Sequence, residues 1–441
     1  MSKTRPLRKL GLFDAIMLVM GGIVGVGIFA NPSEVARHVH SSFLILALWT
    51  FGGLLAMSGA FIWAELATRV PGTGGQYLYL REAFHPAVAF VYGWVLLLVT
   101  QTGGMAAVAV VFATYFRALT GVAWSDGIVA AAVLLILTAI NCLGARAGSN
   151  VQNALMLLKI AAIAALVGVG LAGKGGIKMT SGPLLDRPVS FDLFRAMGAA
   201  LIPIAFAYGG WQTATFVSGE MRDPRRDLSR GLVLGVLGVV FIYLAVNIAC
   251  LRVLGPDNLG QTTTAASDVM RKALGPRGAQ WIAAGIAISA LGFLSQSMLT
   301  APRVYYAMAR DGVFFSSVGH ISRASGAPVV AIVLQGLAAT TIACSGKYGE
   351  ILNFEVTVDF ILFGLTAACL FVLRRRRVGE DAIVHRAPGH PFTTIVFIVA
   401  CVGIVASAIM AKPLTSAISL GIMLAGVPVF YLWRKAGPSH P

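Results

Sequence analysis

Met20-Gly21-Gly22-Ile23-Val24-Gly25-Val26-Gly27-Ile28-Phe29 places glycine at four of the seven positions from 21 to 27, inside an apolar run long enough to cross a bilayer. A second apolar run is interrupted in the same manner at Pro203-Ile204-Ala205-Phe206-Ala207-Tyr208-Gly209-Gly210-Trp211. Glycine lowers the cost of leaving helical geometry, and unwinding frees backbone N–H and C=O groups where no water is at hand. Gly21 and Gly25 could also form a small-xxx-small packing face, which is common between membrane helices. Two clusters in corresponding places favour broken spans.

The composition around them fits a lipid solvent. Of 441 residues, 57% are hydrophobic and 12% charged, and the mean hydropathy is +0.81, more apolar surface than one water-soluble core could bury. Twelve spans are expected, near residues 12–36, 41–68, 86–116, 127–145, 151–173, 192–219, 231–251, 279–302, 327–344, 355–373, 392–411 and 414–433. Backbone polar groups in lipid must be satisfied within the segment, and nothing alternates like a barrel strand, so the fold class is an all-α polytopic membrane protein.

The net charge of +16 would suggest nucleic acid in a soluble chain. Here most of the lysines and arginines fall in connections on the side of the N-terminus, including Arg222 to Arg230 and Arg374 to Arg377, while the rest lie mainly in two long loops opposite, with Lys174, Lys178 and Lys347 among them. That excess places both termini in the cytoplasm, and the basic runs read as orientation and attraction to anionic lipid, with no nucleic acid partner. Cys142, Cys250, Cys344, Cys369 and Cys401 sit in or beside apolar segments, so no disulfide framework is indicated. No cleavable signal is expected, since the first apolar segment continues into a series of spans.

The two glycine clusters lie in helices one and six, five apart in order. Each would open one half of a five-plus-five core of inverted repeats, with helices eleven and twelve outside it. The expected organisation is a cytoplasmic tail over 1–11, a first repeat with its following loop over 12–190, a second repeat over 191–377, and the last two helices with a short tail over 378–441. A freed N–H cluster at a half-helix start suits a carboxylate, and carbonyls at a half-helix end suit an ammonium group. A zwitterionic amino acid has both ends.

At these residues the sequence resembles the superfamily of amino acid, polyamine and organocation transporters, and more narrowly its L-type amino acid transporter branch with bacterial relatives. The resemblance runs from Gly11 to about Arg377. It includes Gly25-Val26-Gly27-Ile28-Phe29, Ala64-Glu65-Leu66 with Pro71-Gly72-Thr73-Gly74-Gly75-Gln76-Tyr77, Phe206 to Trp211 with Glu220-Met221 and Asp223-Pro224, and Arg303-Val304-Tyr305-Tyr306-Ala307-Met308-Ala309-Arg310-Asp311-Gly312. It implies that a substrate carboxylate rests on the amides of Val26 and Gly27 near Gly25. The amino group would meet the carbonyls of Ile23, Phe206 and Gly209, and Phe206 would gate the site from outside. Val26 stands where many relatives have serine, so a hydroxyl contact is lost. Gln212 stands where eukaryotic relatives often have asparagine. Without the resemblance, Phe206 reads as an ordinary core or lipid-facing aromatic.

Lys159 lies inside the fifth span. A charged lysine there costs about 3 kcal/mol on insertion scales unless paired or snorkelling, and a depth of about 12 Å from Val151 makes snorkelling possible. The resemblance implies instead that its ammonium takes the place of a coupling sodium ion, tying helix one to helix eight through a carbonyl near Gly22 and a hydroxyl of Ser289 or Ser295. Protons are then the candidate coupling ion, with no other cofactor and no metal. Asp14 and Glu65 read as solvated or ion-paired structural groups. Glu355 and Asp359 share a face at the start of helix ten, where they could influence an outer vestibule.

The expected function is a secondary transporter of neutral L-amino acids, working by exchange or proton symport in a bacterial inner membrane. No Gly-x-x-x-x-Gly-Lys-Ser/Thr phosphate loop is present. A cationic amino acid or polyamine carrier is the alternative, and it needs a carboxylate aimed at the distal amine, which the deep parts of helices one, three, six and eight lack. An enzyme is not expected: His38, His40, His85, His320, His385, His390 and His440 lie at helix ends, in loops or in the tail, with no metal spacing. A sensor that binds the ligand without moving it is the other class. No cysteine lies between Arg117 and Asp126 to link a heavy-chain subunit, so a chain working alone is expected.

Overall fold

The computed structural model describes residues 10–172, 184–345 and 348–436. The start of the N-terminal tail, Lys174, Lys178, Lys347 and His440 lie outside the described residues. In chain order the helices are α1 (Leu12–Ile23), α2 (Gly27–His38), α3 (Ser42–Arg69), α4 (Gln76–Ala83), α5 (Pro86–Val95), α6 (Gln101–Thr120), α7 (Asp126–Cys142) and α8 (Ala145–Ala172). They continue as α9 (Phe191–Tyr208), α10 (Ser229–Gln261), α11 (Ala265–Thr300), α12 (Pro302–Arg310), α13 (Val329–Cys344), α14 (Tyr348–Arg375), α15 (Phe392–Ala411) and α16 (Pro413–Ala436). Among the described residues nine helical segments are long and apolar enough to cross a membrane, the α1/α2 pair bent by 42° makes a tenth, and α7 and α13 are shorter apolar helices. Two of the twelve spans expected from sequence, near 127–145 and 327–344, coincide with these shorter helices. The chain is an all-α polytopic membrane protein.

Local chemistry sets the boundaries. The hydroxyls of Ser41, Ser125 and Ser190 accept the N–H of Leu44, Ile128 and Leu193, capping α3, α7 and α9. Pro86 opens α5, where its missing N–H costs nothing. Two boundaries differ from expectation in ways that matter. Helix α8 begins at Ala145 rather than near 151, and α14 begins at Tyr348 rather than near 355. Polar residues such as Ser149, Gln152 and Asn153 hide the first turns of α8 from a hydropathy reading, although they lie on helix contacts.

Burial separates the centre from the periphery. The segment Pro86–Thr120 is 78% buried in its apolar window, whereas α16 is 22% and α15 28% buried. The last two helices therefore leave most of their surface uncovered by the rest of the chain, α15 through residues such as Val399 and Val402. Helix α1 packs among α8, α10 and α11, and α14 packs on α6. The N-terminal end is held by backbone bonds from Leu10 N–H to Glu220 O (3.1 Å) and from Arg222 N–H to Leu10 O (2.8 Å).

Candidate functional site

Both glycine clusters are breaks. After Ile23 the chain leaves helical geometry at Val24 (φ −74°, ψ 92°) and resumes it at Gly27. The other break follows Tyr208, with Gly209 extended (φ −66°, ψ 161°) and Gly210 at φ 104°, after which residues Trp211–Glu220 continue as a 3₁₀ helix. A 3₁₀ run of this length inside a span marks strain or a hinge. The breaks touch: a Cβ on Gly210 would lie 2.1 Å from Gly22 O, and one on Gly22 would lie 2.6 Å from Gly210 O. Only glycine allows the two backbones so close.

Side chains from neighbouring helices hold the freed carbonyls. Tyr243 Oη of α10 is 3.0 Å from Ile23 O and 3.1 Å from Ala207 O, so one hydroxyl bridges both breaks. Lys159 Nζ of α8 donates to Val24 O. Ser289 Oγ of α11 donates to Gly25 O at 2.8 Å. The N–H groups of Gly25 and Val26 have no backbone acceptor in the described residues. Carbonyls are anchored, and amides are left open.

A cavity of about 70 Å³ forms where the breaks meet. Of the residues singled out from sequence, Gly22, Ile23, Gly25, Val26, Gly27, Phe206 and Gly209 all line it, as does Gln212. Phe206 and Val356 are shared with a wider cavity of about 510 Å³, which also reaches Asn31, Glu34 and His38 at the end of the molecule away from the N-terminus. The Phe206 ring stands 3.8 Å from the position of a Cβ on Gly27. It therefore forms part of the wall between the inner cavity and the wider one.

Lys159, Ser289 and Ser295 stand behind this cavity rather than in it. Lys159 is fully buried, and a Cβ on Gly292 of α11 would lie 3.0 Å from its Nζ. Helix α8 starts fourteen residues before Lys159, about 21 Å at 1.5 Å per residue, so snorkelling is excluded. The expected partners are met in part. The carbonyl near Gly22 is that of Val24, because Gly22 itself still belongs to α1 and faces Gly210. The serine hydroxyl does not meet the lysine: Ser289 binds the next carbonyl, and Ser295 Oγ is buried without a partner.

Two groups of charges were singled out from sequence without their partners or their depth. At the N-terminal end Glu65 binds Arg69 at 2.8 Å and Arg374 at 2.6 Å and accepts the Ala387 N–H. Nearby Arg303 meets Glu220 at 2.8 Å with both side chains enclosed. Asp14 accepts from Gly11 N–H, Ser149 and Asn153, which ties α1 to α8 and accords with a structural role. The second group is Glu355 and Asp359. Because α14 begins two turns earlier than expected, these carboxylates line the inner cavity and not a vestibule rim.

Comparisons with known proteins come to the same place. A family pattern described as amino acid permease matches residues 10–431. The chain is 29% identical to the serine/threonine exchanger SteT of Bacillus subtilis over 436 residues, covering 97% of each chain. It is 27% identical to the large neutral amino acids transporter small subunit 2 of Mus musculus, covering 96% of this chain and 81% of that one. It is 30% identical to the b(0,+)-type amino acid transporter 1 of Oryctolagus cuniculus, covering 85% of this chain and 78% of that one.

Proposed function

This chain belongs to the amino acid permease family, and from that premise we propose that it carries neutral L-amino acids across a bacterial inner membrane by alternating access. The observation that carries the reading is the meeting of both helix breaks at one cavity, with the Gly25 and Val26 amides beside it left without a backbone acceptor among the described residues. A substrate carboxylate would rest on the amides of Val26 and Gly27, at the positive end of α2. Its ammonium would meet the carbonyls of Ile23, Phe206 and Gly209. Ile23 O and Phe206 O already accept one bond each, which leaves each a second lone pair. A cavity of about 70 Å³ holds on the order of five water-sized groups, which suits a small amino acid of the serine class.

Phe206 serves as the gate towards the wider cavity, and Lys159 holds the broken first span against α8 and α11 where a coupling cation would otherwise sit. The breaks at α1/α2 and after α9 open the two halves of a five-plus-five repeat, over 12–190 and 191–377. The Glu65–Arg374 and Glu220–Arg303 pairs close the N-terminal end, which we place in the cytoplasm, so the described state is shut inward. The chain works without a heavy-chain subunit and without chemical catalysis, by exchange or proton symport.

The test is uptake of radiolabelled serine, alanine and leucine into liposomes holding the purified protein, with and without internal amino acid and with and without an inward proton gradient. Uptake that needs internal substrate identifies an exchanger, and uptake driven by the gradient alone identifies a symporter. A protein that binds serine yet moves no amino acid under either condition would be a sensor, and the transport reading would fail.

A further inference from the structure

Glu355 and Asp359 are four residues apart on α14, one helical turn, and both line the inner cavity. Among the described residues neither carboxylate has a hydrogen bond or an ion pair. Like charges at this spacing repel, and an uncompensated charge in a protein interior within the membrane is expensive. Such an arrangement persists where the pair takes up a proton or where a ligand that comes and goes supplies the compensation.

A second observation lies across the cavity on α6. Gln101 is 9% exposed and lines the same cavity, and its Oε1 has no donor. It follows directly on a π-helical turn at Leu96–Thr100, a local irregularity that often accompanies functional sites. Gly104, three residues on and therefore on the same face, leaves room for the carboxylate: a Cβ there would lie 3.5 Å from Glu355 Oε2. The unpartnered oxygens of Gln101, Glu355 and Asp359 are all acceptors. An alkylammonium group is their complement, with three N–H donors and no acceptor.

We propose that Glu355, Asp359 and Gln101 form a cation subsite in the substrate cavity, which receives the distal ammonium of amino acids that carry a second amine. The inference rests on the transport reading above and extends its substrate class. The backbone subsite at the helix breaks takes the amino acid's own charged ends, and α14 with α6 takes the end of its side chain. The alternative carboxylate source on helices one, three, six and eight is unnecessary, because helix ten provides it.

The experiment measures inhibition of labelled serine uptake, in liposomes holding the full chain, by 2,4-diaminobutyrate against norvaline and by ornithine against norleucine. Each pair differs by an ammonium in place of a methyl group. In the wild type at least one amine is expected to inhibit about tenfold more strongly than its neutral partner, the advantage a charge-assisted contact supplies. Glu355→Gln and Asp359→Asn should each reduce that ratio towards one, and a ratio taken within one preparation cancels any general loss of activity. Equal inhibition within both pairs in the wild type overturns the proposal, as does a ratio unchanged in both variants. A Glu355→Gln protein that keeps the ratio but loses the pH dependence of serine uptake would assign the pair to proton transfer and overturn it too. If the wild type moves no serine, the transport reading fails first, and the thermal shift of the purified protein with the same amine pairs decides the subsite separately.

Discussion

Lys159 and the pair Glu355/Asp359 are ionisable groups set inside spans, but of these only the lysine meets a partner among the described residues. Its ammonium donates to Val24 O, and the neighbouring carbonyls of Ile23 and Gly25 are held by Tyr243 and Ser289. The cation is thereby part of the scaffold that keeps the first span broken in one shape. The carboxylates instead face open volume beside Gln101. A buried charge with a built-in partner fixes a conformation, whereas one without a partner reserves a place for a ligand and costs stability while it waits.

That contrast predicts opposite signs. Lys159→Ala removes the donor and leaves a void behind it, and is expected to cost roughly 3 kcal/mol of stability. Melting of the detergent-purified protein should fall by several degrees, and serine uptake by about tenfold or more, since the open amides depend on the shape of the break. Lys159→Met refills the volume without the charge and should recover most of the melting temperature but not the uptake. Recovery of both would show that the ammonium is dispensable and that the two regions differ in packing alone.

The double variant Glu355→Gln/Asp359→Asn should move the other way. Replacing two unpartnered ionisable groups with neutral groups of the same shape is expected to stabilise the ligand-free protein by about 1–2 kcal/mol. A melting temperature that falls as far as in Lys159→Ala would mean that the carboxylates are structural after all, and the comparison would collapse.

The sequence carries these features unequally. The breaks were legible because four glycines in seven residues have no other equally good use inside a span, and Lys159 stood out as a lone charge in an apolar run. Which carbonyl near Gly22 it meets was not legible, since that depends on where α1 unwinds, and the point is Val24. The spacing of Glu355 and Asp359 shows that they share a face, but hydropathy starts the span at Glu355, because Gly349, Glu350 and Asn353 interrupt the apolar pattern in the first turns of α14. The pairs Glu65–Arg374 and Glu220–Arg303 join residues far apart in the chain, and no local pattern announces them.

A third carboxylate calibrates the comparison in water. Asp186, in the stretch before α9, accepts the His40 N–H at 2.8 Å and meets Arg187 at 3.2 Å, joining this stretch to the turn between α2 and α3. Burial would raise its pKa, but these two partners outweigh burial and hold it below the ordinary aspartate range. A lowered folded-state pKa means that the ionised form stabilises the fold, in full above the ordinary aspartate pKa and progressively less as pH falls through the folded value. Asp186→Asn should therefore destabilise, against the sign for Glu355/Asp359, by about 0.5 kcal/mol, because its partner Arg187 is partly exposed and screened by solvent. The melting difference between wild type and variant should be present at pH 7 and close below about pH 4. A difference of the same size at both pH values would trace the effect to the hydrogen bond alone, and Asp186 would no longer stand as the partnered counterpart of the pair on α14.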